Sequence, residues 1–526
     1  MRDALLAEKR GPSSGETLIA TALFVLLALL VYGTYLAHGG FYSDDWSHAA
    51  NYHFADSPRY FNSVSQLEEF LGGRPLSALL MPLPQAMFGP HPAPHLALAA
   101  FVGVLTSLCF FLFLRTMAMA PLHAWLIGAL VLLFPWADSS RLWATASVNS
   151  LSVCFFLLGL VVALRGFDHR GRRGTSMHAA AALLYLLSIL TYEVTAAAAL
   201  LAGFLYLGRT TRQRALRSWA ADVAVVFAGL LYSLLTTASA RTVATIAQRV
   251  EDIPDFIRDS LLLLASALQP FGVMGRPLQA LVLLAAGGVV VAAILQLRRT
   301  QDAALRRWLD WALIGFIAAA AAYFMFLGSH LHPRDPGIDN RINVFASLAI
   351  CLVVYAVVAC TCRLFLEARS AATATAALVL VIGVGYAITL AGDRGDWVDA
   401  ADRQEAILDK ADRALLPLPQ GSTVIGFGFP SQTAPEVPVF NRPWDLHGAL
   451  QLRSDDMVTR AYPVYEGIEA ACRARFLVDG GAGYGSFQLP YDRLYFYDAD
   501  GRAEAVGSRA QCSRMISEYR PGALEA

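Results

Sequence analysis

Apolar residues fall in runs from Thr17 to Ala391, and each run is close to the length a bilayer demands, about 20 residues. From Gly392 onward no such run occurs. The pattern predicts eleven spans, near 18–36, 95–115, 119–135, 145–165, 174–191, 194–209, 218–237, 277–297, 308–328, 342–364 and 371–391. The first is longer than a signal-peptide core, about 7–15 residues, and lacks a small-x-small cleavage site, so it reads as an uncleaved anchor. Met177–Leu207 is too long for one span and short for two, and a break is placed at Thr191–Tyr192–Glu193. The prediction is a polytopic α-helical membrane domain over 1–391 and a small soluble α/β domain over 392–526. In the latter, Asp396–Leu415 has helical spacing. Ser422–Phe427, Ala474–Val478 and Arg493–Tyr497 read as strands, with a turn at Asp498–Gly501.

Charge orients the chain. Basic residues cluster at every second connection: Arg115; Arg165, Arg170, Arg172 and Arg173; Arg209, Arg212, Arg214 and Arg217; Arg298, Arg299, Arg306 and Arg307; Arg363 and Arg369. The positive-inside rule makes that side cytoplasmic, which places the N-terminus inside and the C-terminal domain outside a cytoplasmic membrane. A break at Tyr192 is what keeps Arg209–Arg217 on the cytoplasmic side. The 41 basic and 41 acidic residues cancel, so the electrostatic footprint of a nucleic-acid binder is absent. Only 16% of residues are charged and 56% are hydrophobic, which excludes disorder. Five cysteines (Cys109, Cys154, Cys351, Cys360, Cys362) fall in spans. Cys472 and Cys512 lie in the outward tail, an oxidising compartment, and are expected to pair.

Unusual polar residues concentrate in the outward loops. Asp44 and Asp45 follow the first span, and on a helix Asp44, His48 and Asn51 share a face. A carboxylate there can take a proton from a hydroxyl, or hold a divalent cation (Mg²⁺ or Mn²⁺) with Asp45 and His48; the plainer alternative is helix capping. Further along the same loop are an amphipathic stretch, Val64–Leu71, and Gly73-Arg74-Pro75. Glu193 sits at the outer break, as a site residue or as the partner of an arginine. A fifth outward loop holds His330, His332, Arg334, Asp335, Asp339 and Arg341, with Asn340 as a candidate N-cap. Arg341 at the positive end of a helix makes sense beside a bound anion such as phosphate, or paired with Asp335 or Asp339. There is no phosphate-cradling Gly-x-x-x-x-Gly-Lys loop, no nucleophile elbow and no metalloprotease helix.

The acid pair Asp44-Asp45 after span one, Gly73-Arg74-Pro75 before span two, Tyr192-Glu193, and the Arg/His loop before Arg341 together resemble the GT-C superfamily of integral membrane glycosyltransferases over residues 17–391. The resemblance implies a sugar transferred from a polyprenyl-phosphate donor to a glycan or lipid acceptor of the bacterial cell envelope, at the outer side of the bilayer. It implies Asp44 or Asp45 as base or metal ligand. Asp-Asp departs from the Asp-Glu of protein mannosyltransferases, which speaks against a protein acceptor. The chemistry would assign the donor phosphate to Arg341, Arg334, His330 and His332, and the cavity and acceptor to His48, Asn51, Arg74 and Glu193. The alternatives are a transporter or flippase of lipid-linked glycans, which calls for charges at mid-membrane, and an envelope scaffold, which needs no acid pair.

Overall fold

A computed structural model describes residues 11–237, 246–271, 275–327, 331–464, 470–479 and 487–519. Every one of the eleven expected spans coincides with a helix. In chain order these are α1 (Ser14–Tyr32), then, after the connecting helices α2 (Asp44–Phe54) and α3 (Arg59–Leu71), α4 (Pro92–Thr116), α5 (Pro121–Leu133), α6 (Ser147–Gly166), α7 (Gly171–Thr191), α8 (Ala196–Leu207) and α9 (Arg212–Thr237). The connecting helix α10 (Ile246–Leu268) precedes α11 (Arg276–Thr300), α12 (Ala303–Phe324), α13 (Asn343–Phe365) and α14 (Ala368–Leu415). Among the described residues eight helices are long and apolar enough to cross a membrane by themselves; α5 and the Glu193–Leu207 segment are shorter, and α12 is not among the eight. Prolines start α4, α5 and α11 at the first turn, where a missing N–H costs nothing.

The chain breaks between α7 and α8 as the charge pattern requires. Tyr192 is extended and Glu193–Thr195 form a single 3₁₀ turn. Helix α14 behaves differently from the two-part expectation. It runs unbroken for 48 residues through the position 391/392 where the domains were divided. No proline interrupts it before Pro417, and its second half is rich in good helix formers. That half buries Trp397, Ala400, Gln404, Ile407, Leu408, Ala411 and Leu415, a stripe at helical spacing that packs on the tail.

The tail holds a four-stranded sheet. β1 (Ser422–Phe427) lies parallel between β2 (Val458–Val464) and β6 (Leu494–Asp498), and β7 (Ala503–Ala505) pairs antiparallel with β6. A second, antiparallel sheet is made of β3 (Ala470–Cys472), β4 (Phe476–Asp479) and β5 (Phe487–Pro490). Helices α15 (Pro443–Arg453) and α16 (Arg509–Tyr519) complete it. Cys472 and Cys512 form a disulfide that ties β3 to α16. One face of the main sheet carries a small core of its own, including Phe427, Phe496 and Met515. The other face, with Val424, Phe429, Leu446 and Tyr497, belongs to the same continuous hydrophobic cluster as the membrane helices. The tail is therefore built onto the bundle, at the end that carries α2.

Candidate functional site

Helix α2 starts at Asp44, so Asp44, His48 and Asn51 lie on one face as the spacing predicts. Ser43, just before it, adopts φ 46° and ψ −119°, a region that costs a non-glycine residue on the order of 1–3 kcal/mol. It makes no side-chain cap. The surroundings hold this turn in place and thereby aim the two acids in different directions.

Asp45 points inward and is 2% exposed. Its Oδ1 accepts from the Thr145 backbone N–H at 2.8 Å and from Thr145 Oγ1 at 2.5 Å, and its Oδ2 accepts from the Tyr42 N–H at 3.2 Å. Burial pushes its pKa up to about 7 against the pull of those donors. Asp44 is half-buried, and its Oδ1 accepts from Trp444 Nε1 at 2.7 Å and, weakly, from Ser43 Oγ at 3.4 Å. Among the described residues its Oδ2 takes no hydrogen bond. Burial lowers the pKa of His48 although Asp44 opposes this, so the ring stays neutral; its Nδ1 has no partner among the described residues. Asn51 is exposed.

The chain itself offers a divalent cation few ligands here. Both Asp45 oxygens are taken by N–H and O–H donors, which leaves one Asp44 oxygen and one imidazole. Among the described residues no group of three or more His, Cys, Asp or Glu is disposed to hold a metal.

Trp444 belongs to the tail, some 400 positions away along the chain. It stands in the first turn of α15, whose N-terminus is fixed by Asp445. That carboxylate accepts from the Asn441 and Arg442 N–H groups at 3.0 and 3.1 Å. Burial pushes the Asp445 pKa up to about 8, against those N–H bonds. One turn further on, Gly448 lies against α2. A Cβ there would fall 2.6 Å from the Trp46 carbonyl carbon, so only glycine lets the two backbones meet.

The basic loop reaches the same region from the other side. Arg341 donates to Asp339 Oδ1 at 2.8 Å and to the Ile338 carbonyl at 2.6 Å, and its guanidinium lies 5.8 Å from the Trp143 ring centre. Trp143 and Thr145 stand two residues apart in one short segment, so the segment that holds Asp45 also carries Arg341. The loop is pinned to the tail by the Ile338 N–H on the Glu436 carbonyl at 2.8 Å. Asn340 is not the N-cap of α13, which starts at Asn343. Its side chain instead accepts from Ser139 Oγ at 2.6 Å and donates to Asp138 at 2.5 Å, a stronger use of a buried amide than one more cap.

The remaining sequence candidates lie elsewhere. Arg74 and Glu193 form a two-point pair (Nε–Oε2 2.9 Å, Nη2–Oε1 2.8 Å), with the guanidinium 4.3 Å from the Tyr192 ring centre. His332 sits 3.4 Å from Asp259, its backbone N–H bound to Asp335, and Arg334 is exposed. His330 lies outside the described residues. The sequence reading missed Thr145, Trp444 and Asp445. Only α15 had a local signal, proline at its first position and an acid two residues on.

A groove of about 320 Å³ opens beside Asp45. Its polar end carries Asp45, His48, Gln85 and Thr145. Its walls come from α4, α6 and the short helices before α4, and include Met87 and Phe101, which are 71% and 58% exposed. Fold and site thus define a multi-spanning membrane protein with a carboxylate centre at one face, roofed by its own C-terminal domain.

No family model and no curated protein matches this chain. Solved structures do. ArnT from Cupriavidus metallidurans, in the apo state and bound to undecaprenyl phosphate, is 14% identical over 85% of this chain and 86% of its own, with TM-scores of 0.38 and 0.35. The Archaeoglobus fulgidus oligosaccharyltransferase tethered with an acceptor peptide is 13% identical over 85% of this chain, with a TM-score of 0.40. This chain covers 63% of that protein, under two thirds of its length.

Proposed function

We propose that this protein is a GT-C-type membrane glycosyltransferase that moves a sugar from a polyprenyl-phosphate donor to a hydroxyl of a cell-envelope glycan or lipid, on the extracytoplasmic face. The observation that carries this reading is the groove. It runs from Asp45 and His48, the helical neighbours of Asp44, to an exposed apolar wall, as a donor with a long apolar tail and a reacting headgroup requires.

Asp44 is the general base. One oxygen is oriented by Trp444, and the other is available to take the proton of the acceptor hydroxyl. The acceptor oxygen forms a bond to the anomeric carbon as the carbon–oxygen bond to the phosphate breaks, and the lipid phosphate leaves with the electron pair. Asp45 holds the start of α2 in place. Arg341 is assigned to the departing phosphate, for which it would exchange Asp339. No step is routed through a metal ion. Loss of activity in EDTA, restored by Mg²⁺ or Mn²⁺, would show that the donor brings a cation to its phosphate.

The test is transfer by the purified chain with a panel of polyprenyl-phosphate sugars, against Asp44→Asn. Labelled sugar should appear on the acceptor with the native chain and not with the variant. Donor moved across vesicles with no new glycosidic product would favour a flippase instead.

A further inference from the structure

A second cavity lies at the membrane face opposite the acid pair. It is enclosed by α5, α12, α13 and α14 and measures about 640 Å³. Arg363 at its rim and Arg341 at the other face flank the two ends of α13, roughly 30 Å apart at 1.5 Å per residue. The cavity exists because α14 faces it with Ala368, Ala371, Ala372 and Thr375, side chains too small to close the gap.

Its charge is one-sided. Arg306, Arg307 and Arg363 line it, against the single carboxylate of Asp310. Among the described residues Arg306 and Arg307 are exposed and make no ion pair. Arg363 is held by Asp302 at 2.8 Å and by the Leu366 carbonyl at 2.7 Å, yet its Nε is buried with no hydrogen-bond partner. A buried donor left unpaired is costly, and an acceptor in the cavity would relieve it. Beyond the arginines, His123, Asp310 and Thr375, the walls are apolar and include Trp308, Trp311 and Ile314; indoles favour the boundary between headgroups and hydrocarbon.

We propose that this cavity binds the phosphodiester headgroup of an anionic phospholipid, with the phosphate among Arg306, Arg307 and Arg363 and the acyl chains along Trp311 and Ile314. Basic pockets between spanning helices hold such headgroups, and guanidinium matches a phosphate at two points. A free phosphate would satisfy the arginines and leave the apolar walls wet, which is why the lipid is the assigned ligand. The site is remote from the acid pair and does not depend on the transfer reaction.

The test is native mass spectrometry of the delipidated full chain in detergent with phosphatidylglycerol or with phosphatidylcholine of the same acyl chains. The native chain should retain phosphatidylglycerol about 10-fold more tightly. Arg306→Gln/Arg307→Gln should abolish that preference. Ala372→Trp should fill the cavity and weaken retention of phosphatidylglycerol with every charge still present, which attraction by surface charge alone would not do. Equal retention of the two lipids by the native chain overturns the proposal, as does an undiminished preference in the arginine variant. Both arginines are exposed, so that variant remains informative if Ala372→Trp fails to fold. Inorganic phosphate that displaces phosphatidylglycerol and raises the melting temperature as much overturns the assignment to lipid.

Discussion

Two adjacent aspartates have different fates because a helix turns about 100° per residue. Asp45 faces the bundle and is consumed by Thr145 and Tyr42; Asp44 faces the tail and keeps one oxygen available. Asp44→Asn should lower transfer by about 10²–10⁴-fold with the protein still inserted, since that is the usual contribution of a general base. Measured turnover at the native level would return Asp44 to helix capping. Trp444→Phe keeps the ring and removes only the N–H, which costs about 1.5–3 kcal/mol for a bond to a charged group. Its turnover should fall about 10-fold with KM nearly unchanged. Combined with Asp44→Asn it should add almost nothing, because it acts through that carboxylate. A full additive loss in the double variant would place Trp444 on the substrate instead.

The break between α7 and α8 shows how one element depends on another. Tyr192 leaves the helix, and its ring and the neighbouring Glu193 receive Arg74 from the first outward loop. Ser77 Oγ from that loop also donates to the Thr191 carbonyl freed at the end of α7, at 2.6 Å. Glu193→Gln should cost on the order of 2 kcal/mol, because Arg74 is then left largely buried without its counter-charge. A thermal unfolding scan in detergent that does not shift would mean that the loop repacks. The disulfide is the second device at this scale. It closes a sequence separation of 40 residues, and Cys472→Ser should destabilise the tail by about 3–4 kcal/mol. Hydrogen exchange should show β3 and α16 loosened and α14 unaffected.

At the scale of the whole molecule, the tail and the bundle share one core, and carboxyls are buried where they join. Burial raises Asp45 to about 7 and Asp445 to about 8, so the folded chain binds protons that the unfolded chain, near 4, has released. That contribution to stability is full below about pH 4 and is lost as pH rises through 7 and 8. The melting temperature should therefore fall between pH 5 and 8, and less steeply in Asp45→Asn. A rise over that interval would contradict the burial of these groups. Orientation is tested by reporter fusions after Thr175, Arg214 and Ala391, which should read inside, inside and outside.

The sequence by itself determined the elements that a bilayer dictates. Span length and the alternation of arginine clusters are set by solvent and not by partners, so the helices expected at the spans and the break at Tyr192 were legible along the chain. Cys472 and Cys512 were legible as the two cysteines outside the spans. What only the tertiary structure decided is which polar groups meet. Nothing local distinguishes Asp44 from Asp45, and nothing near Arg74 names Glu193, more than a hundred positions away. The roles of Trp444 and Gly448 arise where α15 lands on α2, and α14 carries on through 391/392 into the tail. A hydrogen bond is decided within a few tenths of an ångström, and helical periodicity gives the face of a side chain but not its neighbour across the fold.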